Sequence, residues 1–350
     1  MVGTRARRFI VPPHLLEQIV RTGSPQDRES ALNTLSVDSS LRAARIQNAS
    51  WPELRVHAAR RAAESVAGQA QRTIYDARHQ FDEHATTVLR AEGQQPVSDR
   101  SANEAYDGLG LTYRLYWEVY HRDSIDDRGL PLLGEVHYGQ SYDNAFWDGA
   151  RMVFGDGDGR LFTGFTRAVD VIGHELTHGV TENTLNLQYL GQSGALNESI
   201  SDVFGSLVKQ YALGQTADGA DWLIGAGILG PAMPGQALRS MKAPGTAYQG
   251  DPQPSDMSGY VNTSSDNGGV HINSGIPNHA FYLAATAISG HAWEKAGRIW
   301  YEVMTRKAVG PDAQFPAFAA ATVQAAENLF GRGSAEAGAV SGAWSQVGVT

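Results

Sequence analysis

Two histidines separated by three residues stand out in the segment His174-Glu175-Leu176-Thr177-His178. On an α-helix, residues i and i+4 lie one turn apart on the same face, so both imidazoles can converge on one metal ion. Glu175 lies between them, close enough to take a proton from an attacking water. Apolar residues around the segment recur at helical spacing and predict a helix. The spacing indicates a metal site with an adjacent base, although His-Glu-x-x-His also arises by chance.

A catalytic zinc ion usually takes three protein ligands, so a third ligand is expected elsewhere in the chain. Glu198 and Asp202 are four residues apart at the start of a second segment of helical periodicity, which places both on one helix face. Glu198 would complete a set of two histidines and one glutamate, and Asp202 would accept the outer N–H of His174. The alternative is that both are solvated acids in a first helical turn, where the helix dipole favours them.

The composition limits the class of protein. The chain has 350 residues, 42% of them hydrophobic, and 39 glycines, which fits a globular enzyme of two or three domains. It has no cysteine, which excludes disulfides, thiolate catalysis and cysteine metal ligands. No apolar run is long enough to span a membrane, so no membrane partner is expected.

Charge is distributed unevenly along the chain. Residues 1–74 carry 11 arginines and 6 acidic residues, whereas the remainder carries 17 basic and 31 acidic residues. We expect a basic leading segment and an acidic body to attract each other, and the acidic body argues against a nucleic-acid partner. The apolar run near the start is short and broken by prolines, so no secretory signal is expected and the localisation stays open.

The residue pattern predicts an α+β fold with a leading segment and two lobes. Short helices are expected from residue 25 to about 35 and near 41–45. Strand-like runs follow up to about residue 164, and helices dominate beyond it, at 277–288, 292–304, 315–329 and 334–347. The predicted divisions are a segment 1–60, a β-rich lobe 61–168 and a helical lobe 169–350, with the zinc site in a cleft between the lobes. The strand-like runs include Tyr75, Tyr106, Leu111, Tyr113, Val136 and Tyr138, and one helix is allowed within 102–121.

Several motifs together resemble the thermolysin family of zinc endopeptidases. Besides the zinc motif, the family's signatures are matched in order by Asn144–Trp147, Gly155–Gly159, Asn197–Asp202 and Asp266–Gly275. The resemblance covers about residues 73–350. The run Pro12-Pro13-His14-Leu15-Leu16 is similar to the start of the short-propeptide, protealysin-like branch. That likeness implies a propeptide that acts on its own body in cis and is cleaved somewhere between residues 49 and 72, and the alternative is a permanent surface module.

The resemblance implies a bacterial metalloendopeptidase that acts on peptide or protein substrates as a monomer with one catalytic zinc ion. His271 matches the histidine that donates a hydrogen bond to the developing oxyanion, and Asp266 matches the acid that orients it. Tyr189 matches the second oxyanion donor. Taken alone, His271 would be a structural histidine and Tyr189 a core tyrosine. A non-catalytic zinc-binding protein of the same fold would require the loss of Glu175 or His271, and both are present.

Substrate-binding residues follow from the same resemblance. Asn144 and Ala145 match the edge stretch that binds a substrate backbone by strand addition, and Arg239 matches the arginine that holds a substrate carbonyl. The pocket beyond the scissile bond would be apolar, which implies cleavage on the N-terminal side of hydrophobic residues, although each lining residue would also fit a protein core. The matching residues are Phe162, Phe165, Val171, Ile224 and Leu238.

The paired calcium site of larger family members is expected to be absent. Asp170 and Asp221 match two of its acids, but Lys209 stands where the family has a glutamate on the second zinc helix. Calcium needs six to eight oxygen ligands, so two calcium ions could not be held. We expect the compact ammonium of Lys209 to lie among the two acids in place of calcium. The alternative is an exposed lysine near a helix C-terminus, where the dipole favours a cation.

Overall fold

The computed structural model describes residues 8–47, 66–82 and 84–349. The chain divides into two compact units, residues 1–179 with 227–234 and residues 180–226 with 235–350. The predicted end of the leading segment near residue 60 lies outside the described residues. Within those residues, no helix is both long and apolar enough to cross a membrane.

A mixed six-stranded sheet organises the first unit. The strand order is β1-β5-β6-β4-β2-β3, in which β2, β4 and β6 run parallel to their neighbours and the other pairings are antiparallel. The strands are β1 (Arg8–Phe9), β2 (Arg72–Asp76), β3 (Thr87–Ala91), β4 (Leu132–Val136), β5 (Ala145–Trp147) and β6 (Arg151–Phe154). The leading strand β1 forms one edge of this sheet.

The leading segment contributes two helices after β1. Helix α1 spans Pro13–Thr22 and buries Leu15, Leu16 and Ile19 on one face. Helix α2 spans Pro25–Gln47, where two separate short helices were predicted, so that prediction was wrong. Neither glycine nor proline occurs between the two predicted pieces, and the buried residues Thr34, Asp38 and Leu41 continue one helical face across the join.

Helix α3 (Arg100–Arg114) continues into a π-helical turn at Leu115–Val119. Three residues assigned to strand-like runs, Tyr106, Leu111 and Tyr113, lie on this helix, so their assignment was wrong. Tyr106 and Tyr113 are buried two turns apart on one helix face. Tertiary packing therefore overrides the strand preference of these aromatic residues. Helix α4 (Val169–Asn183) carries the predicted histidine pair.

The second unit is mostly helical. One aromatic group in its core places the indoles of Trp300 and Trp344 nearly parallel at 6.2 Å, with Phe281 and Phe318 at the edges. The helices are α5 (Gly191–Leu213), α6 (Asp266–Asn273), α7 (Gly275–Ile288), α8 (Ala296–Thr305), α9 (Phe315–Phe330) and α10 (Ala335–Gln346), and β7 (Leu223–Ile224) pairs with β8 (Arg239–Ser240). The predicted α+β class, with a sheet-containing N-terminal part and a helical C-terminal part, is confirmed.

Gly155 directly follows β6 and provides a test of the fold. Its N–H donates to the carbonyl of Asn144, and a Cβ at this position would lie 2.0 Å from the carbonyl oxygen of Tyr142. Because that oxygen belongs to the backbone, it cannot rotate away. We expect Gly155→Ala to lower the free energy of unfolding by about 1–3 kcal/mol or more in chemical denaturation. Gly164→Ala is the matched control because its added Cβ would meet nothing closer than 3.8 Å. Equal midpoints for the two variants would contradict the packing described.

Candidate metal centre and catalytic residues

One turn of α4 holds the two histidines of the predicted metal site. The rings of His174 and His178 lie 4.7 Å apart between centroids and are nearly perpendicular, and both side chains are fully buried. A ligand nitrogen of each histidine and a carboxylate oxygen of Glu198 lie within 4.8 Å of one another. Two imidazoles and one carboxylate are a donor set that catalytic zinc takes. Three such buried polar groups at this separation fit a bound cation well.

The carboxylate of Glu175 is oriented by the sheet. Its Oε2 accepts the backbone N–H of Trp147, the last residue of β5, at 3.0 Å, and the side chain is fully buried. Glu175 thus lies between the two histidines in sequence and is tied to strand β5 in space. The sequence did not indicate this contact, because a backbone donor carries no residue signature.

Tyr189, Glu198 and His271 form a connected group in the second unit. The hydroxyl of Tyr189 donates to the carboxylate of Glu198 and lies 3.2 Å from Nε2 of His271. Nδ1 of His271 lies 2.7 Å from a carboxylate oxygen of Asp266. Burial lowers the pKa of His271, but the negative charges of Asp266 and Glu198 outweigh it, and the pKa is raised overall. A proton on Nδ1 held by Asp266 directs Nε2 to the side on which Tyr189 lies.

A left-handed run of backbone sets the position of Asp266. Residues Asp266, Asn267, Gly268 and Gly269 have φ angles of 51°, 51°, 85° and 74°. Asp and Asn tolerate this region better than most residues, and glycine enters it without a Cβ penalty. The turn brings Oδ2 of Asp266 to the backbone N–H of His271 at 2.9 Å, while Oδ1 holds the ring. The Asp-Asn-Gly-Gly sequence is therefore needed to orient His271.

Arg239 and Asp202 form a buried, bidentate ion pair. Nε and Nη2 of Arg239 each donate to one carboxylate oxygen of Asp202 at 2.8 Å, and the side-chain amide of Asn278 donates to Oδ2 at 2.8 Å. Burial lowers the pKa of Arg239, but Asp202 more than offsets this, so the guanidinium stays charged. The structure therefore shows Asp202 against Arg239. Its predicted contact with His174, and a substrate-binding role for Arg239, stay predictions.

The predicted pocket residues are all buried, and the structure brings them together in pairs. The rings of Phe162 and Phe165 lie 5.7 Å apart, and the backbone N–H of Leu238 donates to the carbonyl of Ile224. Val171 is buried on α4. One pocket formed by all five residues stays a prediction.

Lys209 on α5 pairs with one of the two expected acids. Its ammonium lies 2.8 Å from Oδ1 of Asp221 and donates to the carbonyl of Leu223 at 2.6 Å. The side chain of Asp221 is 45% exposed, whereas that of Lys209 is 11% exposed. The expectation that buried acids surround Lys209 therefore does not hold for Asp221. Asp170 is buried, and its own contact with Lys209 stays a prediction.

The sheet-containing unit, the helical unit and the His-His-Glu cluster beside Glu175 together define a metallopeptidase. Residues 26–182 match the family model of the thermolysin metallopeptidase catalytic domain, and residues 185–349 match that of its alpha-helical domain. The chain belongs to the thermolysin family of metallopeptidases.

Individual relatives agree with this assignment along nearly the whole chain. An extracellular metalloprotease of Pectobacterium carotovorum is 51% identical over 97% of this chain and 96% of its own length. Thermolysin of Alicyclobacillus acidocaldarius is 42% identical over 72% of this chain and 46% of its own length. The solved precursor of protealysin from Serratia proteamaculans is similar at a TM-score of 0.87 and 50% identity, over 98% of this chain and 100% of that one.

The contact of Lys209 predicts that stability does not depend on calcium. Thermal unfolding should give the same midpoint with excess calcium and with a calcium-selective chelator. Lys209→Ala should lower the free energy of unfolding by about 1 kcal/mol, because it removes one hydrogen bond and one partly exposed ion pair. Lys242→Ala, at an exposed lysine, is the control and should leave the midpoint unchanged. A large calcium-dependent rise in the wild-type midpoint would show that the ammonium does not replace calcium.

Proposed function

We propose that this metallopeptidase is a zinc-dependent endopeptidase that is made as a self-processing zymogen and cleaves on the N-terminal side of hydrophobic residues. The observation that carries the proposal is the position of β1. In the sheet, Arg8 pairs with Trp147 and Phe9 pairs with Phe146, so the leading segment occupies the free side of β5. Strand β5 ends at the residue whose N–H holds Glu175.

Contacts around β1 are those expected of an extended peptide. The backbone N–H of Ile10 donates to the carbonyl of Ala145 at 3.2 Å. The side-chain amide of Asn144 accepts from the N–H of Val11 at 3.0 Å and donates to its carbonyl at 3.3 Å. Without β1, strand β5 would be an edge strand with unpaired backbone groups, ready to receive another extended chain. Asn144 and Ala145 are also the residues expected to bind substrate, so propeptide and substrate would compete for one edge.

Side chains further along the leading segment hold it on the same unit. Asp27 pairs with Arg160 at 2.9 Å, and the hydroxyl of Ser30 donates to Asp143 at 2.7 Å. Nη1 of Arg8 donates to the carbonyl of His178, one of the two histidines of the metal cluster. In the Asp27–Arg160 pair the acid belongs to the leading segment and the base to the body. This sign is opposite to the one expected from the overall charge distribution.

The residues of the site divide the work of peptide hydrolysis. Zinc, when bound by His174, His178 and Glu198, would lower the pKa of water to about 7 and polarise the scissile carbonyl. Glu175 would take a proton from the attacking water and pass it to the leaving amine. Tyr189 and His271 would donate hydrogen bonds to the carbonyl oxygen as it becomes negative.

Replacement of Glu175 tests the catalytic and self-processing proposals together. Glu175→Ala should retain zinc, because the three ligands remain, but should lose peptide hydrolysis and stay at full length in mass spectra taken over time. Glu182→Ala, two turns further along α4, is the control and should behave as wild type. A zinc chelator should keep the wild-type chain intact. Equal shortening of the wild type and of Glu175→Ala would contradict self-processing.

Replacement of His271 tests the oxyanion role separately. Because its hydrogen bond is needed mainly in the transition state, His271→Ala should lower kcat about 100- to 1000-fold and change KM far less. His279→Ala is the control, since His279 bonds only a backbone carbonyl among its printed neighbours on the structure, that of Ser255. A change confined to KM would exclude the proposed role.

Asp38 on α2 predicts that the leading segment is held more weakly as pH rises. Burial raises the pKa of Asp38 to about 7, although the hydroxyl of Tyr142 and the amide of Asn144 donate hydrogen bonds to it. A group with a raised pKa in the docked state favours docking below its undocked pKa of 3.8, and this contribution is lost as pH rises through about 7.

The measurement is hydrogen exchange of the leading segment in a Glu175→Ala background, in which self-cleavage cannot interfere. Protection should fall between about pH 5 and pH 8, and Asp38→Asn should flatten that fall because an amide cannot ionise. Glu17→Gln, at an exposed acid of α1, is the control and should keep the wild-type slope. A pH dependence that is the same with Asp38→Asn would exclude Asp38 as its source.

A further inference from the structure

Three parallel strands deliver polar side chains to one edge of the sheet. His79 follows β2, His137 follows β4 and Asp156 follows β6. Because β2, β4 and β6 are parallel neighbours, the segments beyond their carboxyl ends meet at the same edge. The backbone keeps them together there, since the N–H of His79 donates to the carbonyl of His137 at 2.9 Å and the N–H of Tyr138 donates to that of Phe154 at 3.1 Å.

The side chains converge as well as the backbones. Nδ1 of His137 lies 2.8 Å and 3.0 Å from the two carboxylate oxygens of Asp156, and Nδ1 of His79 lies 3.5 Å from Oδ2 of the same carboxylate. One ligand atom from each of these residues lies within 4.8 Å of the others. His79 is 56% exposed, so the group can be reached from solvent. We refer to His79, His137 and Asp156 as the surface cluster.

A fourth residue, Asp99, fixes the orientation of the His137 ring. One oxygen of Asp99 caps helix α3 by accepting the N–H of Ala102, and the other lies 2.8 Å from Nε2 of His137. With the proton of Nε2 directed at Asp99, Nδ1 presents a lone pair to the carboxylate of Asp156. Two acceptors can face each other at this distance only if a proton or a cation lies between them.

We propose that the surface cluster is a second metal site, specific for a divalent transition metal such as Zn²⁺, Ni²⁺ or Co²⁺, with Asp99 as the positioning residue for His137. Two imidazoles and one carboxylate favour these ions over Ca²⁺ and Mg²⁺, which prefer sets of oxygen ligands. A carboxylate that accepts the second N–H of a ligating histidine is the usual support of such a ligand. Water would fill the remaining positions on the exposed side.

A proton competes with the metal for Nδ1 of His137. The hydrogen bond to Asp156 and the second one to Asp99 raise the pKa of His137 to about 9, against the effect of burial. Metal binding would therefore release this proton, and affinity should rise with pH. For this reason the test is carried out at about pH 8.

The metal would join the ends of three strands. The loop beyond Asp156 contacts the edge that holds the leading segment, since the N–H of Gly157 donates to the carbonyl of Tyr142 and that of Asp158 to the carboxylate of Asp143. A metal that binds the folded chain only would raise its thermal midpoint, and removal of the metal would reverse the rise.

The experiment measures metal stoichiometry in the full-length chain carrying Glu175→Ala, by equilibrium dialysis against Ni²⁺ or Zn²⁺. We expect two metal ions per chain. Adding His79→Asn should reduce the number to one, and adding His121→Asn should leave it at two. These two histidines are matched because both are exposed and have φ angles of 57° and 54°, a conformation that asparagine tolerates. Thermal unfolding of the three proteins verifies that each is folded.

A second variant tests the positioning role. Asp99→Asn keeps an N-cap residue on α3 but removes the charge beside Nε2 of His137. It should weaken the second binding event about 10- to 100-fold and leave the first unchanged. If Glu175→Ala binds a single ion at saturation, or if His79→Asn binds as many ions as His121→Asn, the surface cluster is a histidine–carboxylate ion pair and the proposal is wrong.

Discussion

The helical spacing of His174 and His178 is the constraint on which the rest of the site depends. One turn of α4 places two imidazoles 4.7 Å apart inside the protein and sets Glu175 between them along the chain. Polar groups buried in this way are stable only when they have partners. The carboxylate of Glu198 supplies a third donor atom within 4.8 Å, and the backbone of Trp147 holds the intended base.

Strand β5 links the sheet to that helix. The N–H of Trp147 binds Glu175, while the neighbouring backbone of β5 pairs with Arg8 and Phe9. A peptide bound along this edge is therefore held next to the base. The leading segment uses the edge in this way, and a substrate placed there would meet the same groups. Occupation of one backbone edge by either chain gives a physical basis for a zymogen, because only one strand can pair with β5 at a time.

How much the sequence predicts depends on whether the signal is local. The spacing of His174 and His178 gave the helix and the metal ligands, and the match around Asp266 led to the residue that orients His271. Tyr106 and Tyr113 were placed in strands because aromatic residues favour strands, whereas their packing as one face of α3 depends on the rest of the unit. Trp147 was missed because it acts through its backbone. The surface cluster was missed because His79 and His137 come together only through the parallel pairing of β2 and β4.

The most direct test of the central claim is zinc K-edge X-ray absorption on the full-length chain carrying Glu175→Ala and His79→Asn. The second substitution removes a ligand of the surface cluster, so that the signal reports the His174 site. The first shell should contain two imidazole nitrogens and a carboxylate oxygen at about 2.0–2.2 Å. Adding His178→Ala should remove one imidazole from the spectrum. A first shell that is unchanged by His178→Ala would contradict the assignment of the catalytic metal to this helix.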